Sequence, residues 1–170
     1  AMAETTVKLS GVHLCCGGCV KGIGNAVKKV EGAAVECDKN AGSVTIKAND
    51  DATARKALGA IGRAGYYGKS DNDKLAIRAR KAKDTKVTDQ KVAGLHLCCG
   101  ACVKAVNKVV DSVDGATGHD AAKGAKVITV KGTYSAAALQ KAFQDAGLNG
   151  RAPGGAAKGK GKGKGGKKKK

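Results

Sequence analysis

Two hydrophobic rhythms alternate along the chain. In Thr6–Leu14, Val7 and Leu9 stand two apart, the period of a half-buried strand. Val20, Ile23, Val27 and Val30 then recur at spacings of three and four, which puts them on one face of a helix over Gly18–Val30. Gly32 follows the last apolar position and ends that helix. Ala34–Cys37 and Ser43–Ala48 flank the turn-forming run Asp38-Lys39-Asn40-Ala41-Gly42, a hairpin signature. A second helix is predicted over Ala52–Ala64, with Ala54, Ala57, Leu58 and Ile61 inward and Gly65 as its stop. Tyr66–Ser70 reads as a short last strand.

The pattern then returns 83 residues later. Val12-His13-Leu14-Cys15-Cys16-Gly17-Gly18-Cys19-Val20-Lys21 is matched by Leu95-His96-Leu97-Cys98-Cys99-Gly100-Ala101-Cys102-Val103-Lys104. Val30, Gly32 and Ala33 are matched by Val113, Gly115 and Ala116, and Ala64-Gly65 by Ala146-Gly147. The inward positions of the second block are Val103, Val106, Val110 and Val113, then Leu139, Ala142, Phe143 and Ala146. Self-similarity on this scale means two homologous domains. The element order of each is βαββαβ, so the fold class is α+β: two tandem ferredoxin-like domains, each with two helices on one face of an antiparallel sheet. The expected boundaries are 4–73 for the first domain, 74–90 for a basic linker, 91–150 for the second domain and 151–170 for a tail.

Charge sharpens this division. The 170 residues carry a formal net charge of +18. Residues 1–73 hold 10 basic and 8 acidic side chains, and residues 92–150 hold 6 and 4. Residues 74–91 hold 7 and 2, and residues 151–170 hold 9 and none. The basicity therefore belongs to the connecting and terminal segments. The tail, built of Gly, Ala and Lys with one Pro, has nothing to anchor a core and is expected to be disordered. It is either a solubilising extension or an electrostatic tether to a polyanion. Lys74-Leu75-Ala76-Ile77-Arg78-Ala79-Arg80-Lys81 in the linker reads as an extended last strand or a short helix. Aromatics make up only 2% of the chain, which argues against single-strand nucleic-acid recognition by base stacking. No run of about 18 apolar residues is present, so no transmembrane segment is expected. Ala1-Met2 reads as a cloning scar, and the Ala3-Glu4-Thr5-Thr6 start after it suggests a periplasmic or exported protein, with a cytoplasmic one as the alternative.

The chemistry is concentrated in the repeated motif, which holds six of the seven cysteines. Cys16 and Cys19, and likewise Cys99 and Cys102, form a CxxC at a strand-to-helix junction. Two intervening residues let both sulfurs converge on one soft cation, and the helix N-terminus favours the thiolates. Gly17 and Gly18 leave the site open to a partner thiol.

These features resemble the heavy-metal-associated domain: the βαββαβ order, the CxxC at the first strand-helix junction and the Ala-Gly-Tyr that ends the second helix. The resemblance covers about residues 4–71 and 90–150. It implies binding, transfer or sequestration of a soft metal ion, with a metal-transporting ATPase or another thiol acceptor protein as partner. The chain departs from the copper-handling members, which carry Gly-Met-Thr where His13, Leu14 and Cys15 stand. The paired thiols look instead like the Cys-Cys-x-x-Glu variant of zinc and cadmium pumps, with Cys19 at the Glu position. His13, Cys15, Cys16 and Cys19, and His96, Cys98, Cys99 and Cys102, make two candidate Cys₃His sets. Four ligands suit a tetrahedral Zn(II)-like ion, one per domain, with Cd(II) or Cu(I) as alternatives. Cys15 and Cys16 can share an ion only if the chain bends between them, because neighbours on a strand point to opposite faces. Cys15 also reads as a small buried apolar residue, and an iron–sulfur centre is open to three thiols and a His.

Cys37 has no cysteine counterpart and reads as a half-buried free thiol, with His119 at or next to the matched position. Tyr66 and its counterpart Leu148 are expected to shield the metal loop. No Ser/His/Asp arrangement, phosphate-cradling glycine motif or paired carboxylates stand out, so the chain is not expected to be an enzyme. Two functions of other classes remain beside metal handling: a thiol–disulfide redox protein using the CxxC pairs, and a polyanion or nucleic-acid binder acting through the linker and tail.

Overall fold

The computed structural model describes residues 3–79 and 81–151. The expected scar at Ala1-Met2 and nearly all of the basic tail lie outside the described residues. The first unit contains β1 (Thr5–Ser10), α1 (Gly17–Lys28), β2 (Ala33–Asp38), β3 (Ser43–Ala48), α2 (Asp51–Arg63) and β4 (Lys69–Ser70). Its antiparallel sheet has the order β2-β3-β1-β4. Val7 sits opposite Ile46 and Leu9 opposite Val44, all four fully buried under the helices. The second unit contains β5 (Lys86–Ala93), α3 (Gly100–Asp111), β6 (Ala116–His119), β7 (Val127–Ser135) and α4 (Ala136–Asp145). Its sheet order is β5-β7-β6, and the place of a fourth strand is held by a bridge between Ala93 and Arg151. The first ferredoxin-like unit has the expected βαββαβ order, and the second keeps βαββα with that bridge in place of its last strand.

The helices form where the apolar spacing puts them. Ile23 and Val27 of α1, and Val106 and Val110 of α3, are buried. Each such side chain contributes roughly 1.5–3 kcal/mol when fully removed from water. Asp50 caps α2 by accepting from the Thr53 N–H at 2.6 Å, and Ser135 caps α4 by accepting from the Ala138 N–H at 3.2 Å.

Several boundaries differ from expectation, each for a local reason. The first strand stops at Ser10 rather than Leu14, because Gly11 turns the chain at a φ of 70°. Residues 11–16 therefore form a loop. Val12 and Leu14 are still buried, as loop residues packed on the core. The last strand of the first unit shortens to two residues, since Tyr66 bridges instead to Leu148. The 74–79 stretch is neither helix nor strand, but Leu75 and Ile77 are buried, so this part of the linker is pinned to the fold. β5 begins at Lys86, inside the segment expected as linker, and bulges at Asp89.

The two units pack so that both metal-motif loops meet. Tyr67 N–H donates to Gly147 O (3.0 Å), and Asn149 N–H donates to Gly65 O (2.9 Å). Asn149 Nδ2 also donates to Gly62 O in α2. The two glycines that end the second helix of each unit occupy matched places. Gly65, at φ 97°, lies against the backbone of Gly94 and His96. Gly147, at φ 79°, lies against the backbone of Gly11, Val12 and His13. A Cβ at either would overlap main-chain atoms of the opposite loop, so glycine is required there twice over.

Candidate metal centre

Cys16 and Cys99 are the N-cap residues of α1 and α3. The thiol thus stands where Asp or Ser would ordinarily accept from first-turn N–H groups. Cys19 and Cys102 follow one turn on and are fully buried. Cys15 and Cys98, immediately before the caps, project from the loops toward the other unit. All seven cysteines are free thiols.

The six motif sulfurs form one connected cluster across the interface. Cys15 Sγ lies 3.3 Å from Cys99 Sγ, 3.4 Å from Cys102 Sγ and 3.5 Å from Cys19 Sγ. Cys98 Sγ lies 3.3 Å from Cys16 Sγ and 3.7 Å from the sulfurs of Cys19 and Cys102. Each of these two cysteines is seated beside the CxxC pair of the opposite unit. Gly18 permits this approach, since a Cβ there would come within 3.2 Å of Cys98 Sγ. A tetrahedral ion with metal–sulfur bonds of about 2.3 Å holds its sulfurs about 3.8 Å apart. The observed contacts, 3.3–3.9 Å, are close to that spacing.

Three groups of four donors have ligand atoms within 4.8 Å of one another: His13, Cys15, Cys19 and Cys102; Cys15, Cys98, Cys99 and Cys102; and Cys15, Cys16, Cys19 and Cys98. Neither Cys₃His set expected from the sequence is among them. Where His13 or His96 was expected to complete the three thiols of its own motif, the opposite loop supplies Cys98 or Cys15. His13 joins a mixed group with thiols of both units, and its Nε2 is buried without a hydrogen-bond partner. His96 belongs to none of the three groups. Its ring lies against Tyr66, with centroids 4.8 Å apart. Cys37 sits in β2 opposite Val44, apart from the cluster and half-buried, in keeping with a free thiol. His119 is engaged with Asn107 and accepts from the Ala121 N–H, also away from the cluster.

Electrostatics divide the thiols into two kinds. The Cys102 N–H favours the Cys99 thiolate, and Cys15 adds to this, so the Cys99 thiol is pushed down to about 6. The Cys19 N–H likewise holds Cys16 below the ordinary thiol range. Burial, reinforced by neighbouring thiols, pushes Cys15 and Cys98 up, and burial pushes Cys19 up. Burial lowers both His13 and His96, and the charge of His96 lowers His13 further. The site therefore offers neutral imidazole and one ready thiolate, that of Cys99, at neutral pH, with the Cys16 thiol also shifted toward ionisation. The remaining thiols ionise when a cation compensates them.

Tyr66 closes the cluster on one side. It is fully buried, and its hydroxyl donates to Cys19 O at 3.2 Å. Gly22 makes room for it, because a Cβ there would lie 2.5 Å from the Tyr66 hydroxyl. Leu148, the counterpart, is also fully buried. Sequence reasoning identified this pair but not the interfacial glycines, which it read only as helix stops. The repetition of Ala-Gly at matched positions was the available signal.

Away from the cluster, Arg55, Lys56, Arg63, Lys74 and Arg78 line an open groove of about 690 Å³ between α2 and the linker. No helix among the described residues is long and apolar enough to cross a membrane. No family model matches the chain, and no curated protein matches it. Among solved structures the chain is similar to the N-terminal soluble domains of Bacillus subtilis CopA, at 12% identity with a TM-score of 0.33. The match covers 92% of this chain and 99% of that one.

Proposed function

We propose that this protein binds and hands on soft metal ions through the interfacial thiol cluster, as a metallochaperone or metal buffer. One observation carries the reading: six free thiols from two repeated motifs, with neighbouring sulfurs 3.3–3.9 Å apart, at the N-termini of two helices. Thiolates are soft ligands, and four of them at this spacing suit Zn(II) or Cd(II), with Cu(I) as the alternative cargo. Cys16 and Cys99, half-buried at the helix caps, are the two thiols held below the ordinary thiol range. They are the natural points for a thiol acceptor, such as a metal-transporting ATPase, to begin ligand exchange. The exposed glycines Gly17, Gly18 and Gly100 beside them leave that approach clear. The role is binding and transfer rather than catalysis. The basic groove adds a surface for weak polyanion contact.

The test is metal content by native mass spectrometry under reducing conditions, with Zn(II) and Cu(I) offered in turn. Zn(II) retained against a moderate chelator, and lost on Cys16→Ser with Cys99→Ser, supports the Zn(II) reading. Retention of Cu(I) alone moves the cargo to copper. Uptake of neither ion refutes metal handling.

A further inference from the structure

From the way the four-thiol groups overlap, we infer that the cluster holds two divalent ions in a binuclear M₂S₆ site, with Cys15 and Cys98 as bridging thiolates. The inference rests on the metal-handling reading above and specifies how that site is built.

Two tetrahedral ions need eight ligand positions, and six sulfurs fill eight only if two of them serve both ions. The geometry shows which two. The group Cys15, Cys16, Cys19 and Cys98 and the group Cys15, Cys98, Cys99 and Cys102 together include all six motif thiols. Their members in common are Cys15 and Cys98. These are matched positions in the repeat, one from each unit, so the assignment respects the symmetry of the fold. The CxxC pairs are left as terminal ligands, Cys16 with Cys19 for one ion and Cys99 with Cys102 for the other. Each bridging sulfur touches thiols of both pairs: Cys15 is 3.5 Å from Cys19 and 3.3 Å from Cys99, and Cys98 is 3.3 Å from Cys16 and 3.7 Å from Cys102.

Charge permits the second ion. One dication on four thiolates leaves two negative charges, and two dications on six thiolates leave the same two, so the second ion draws in the last two thiols without adding uncompensated charge. The N-termini of α1 and α3 face that residual charge, each with roughly half a unit of positive charge. On loading, the thiol protons pass to solvent as sulfur–metal bonds form, with no change of oxidation state. One ion per domain is then a misleading description, because each ion takes three sulfurs from one unit and the fourth from the other.

The experiment uses the full reduced chain titrated with ¹¹³Cd(II), read by native mass spectrometry and cadmium NMR. The expected result is two Cd(II) per chain and two cadmium resonances coupled to each other through sulfur. The β-protons of Cys15 and of Cys98 should each correlate with both ions, and those of the other four cysteines with one. These signals belong to the unmutated protein, so they do not depend on any variant folding. In support, Cys15→Ser should weaken retention of both ions, whereas Cys16→Ser should leave the Cys99–Cys102 ion bound. Two uncoupled resonances, with Cys15 correlating to one ion only, would overturn the bridge while leaving metal handling intact. A single ion lost on His13→Ala would overturn it in favour of the mixed His13 group. Failure to take up cadmium, zinc or copper would overturn the metal-handling reading itself.

Discussion

Gly147→Ala tests whether the docking of the two units builds the cluster. Gly147 sits at φ 79°, where an alanine costs about 1–2 kcal/mol. The new methyl would also meet the Gly11 carbonyl oxygen and the His13 nitrogen, and approach the Val12 carbonyl carbon to 2.9 Å. These are main-chain atoms that cannot rotate away, and overpacking of this kind costs about 1–3 kcal/mol. The total is roughly 2–5 kcal/mol, a large share of the ~5–15 kcal/mol that stabilises a typical domain. The strain falls on the contact between α4's end and the first metal loop, so the units should part before either unfolds. In urea the first transition should move down by about 1 M or more, given slopes of ~1–3 kcal/mol per M. The same variant should lose metal to a chelator more readily than the parent. Gly24→Ala is the control: it lies inside α1 with nothing within 4 Å of the added Cβ, and should stabilise by about 1 kcal/mol. An unchanged urea profile and unchanged metal retention for Gly147→Ala would refute the view that this glycine is where the units engage.

Other outcomes follow from the same geometry. Tyr66→Phe removes the hydroxyl's hydrogen bond to Cys19 O and should cost about 1 kcal/mol in denaturant unfolding, with metal stoichiometry unchanged. In limiting alkylation of the metal-free protein at pH 7, Cys99 should be modified first and Cys37 late, as peptide mapping would show. The metal-free protein should also have a stability maximum near pH 9. Cys99 and Cys16 have folded values below the ordinary thiol value, so their contribution grows as pH rises toward that value and fades on acidification, that of Cys99 being lost below about 6. His13 and His96, held low, likewise contribute above their ordinary value and lose that contribution on acidification. Cys15, Cys98 and Cys37 are raised, so their contribution is complete below the ordinary thiol value and is lost as the solution becomes more alkaline. Unfolding midpoints measured across pH 5–11 check the sign on both limbs.

Most of the local structure was legible because it is dictated locally. The three-four spacing of Val20, Ile23 and Val27 places α1 within two residues of its observed ends, and the Asp38–Gly42 run marks the hairpin. The strand end was misread because Val12 and Leu14 continue the alternation of Val7 and Leu9. The left-handed turn at Gly11 interrupts the strand while leaving both side chains in the core. The six motif cysteines and His13, which the structure gathers, were singled out in the sequence, but their grouping was not legible there, and His96 joins no group. A repeat records what each copy looks like, not which surface each copy turns to the other. The opposing sulfurs of Cys15 and Cys98, the Tyr66–His96 contact and the anchoring of Asn149 on Gly62 are all long-range consequences of docking, with no local pattern in the sequence. Leu75 and Ile77 gave a fainter signal, two apolar residues in a basic segment, which the charge of their neighbours obscured.

That pinned linker determines how the cluster responds to dilution. Were the two halves separate molecules, the site would assemble by collision and fall apart as the protein became scarce. On one chain the encounter is intramolecular, with an effective local concentration in the millimolar range for a short connection. Burial of Leu75 and Ile77 shortens the free tether further. The fraction of assembled clusters is then independent of how much protein is present, so the six thiols stay gathered even at trace abundance.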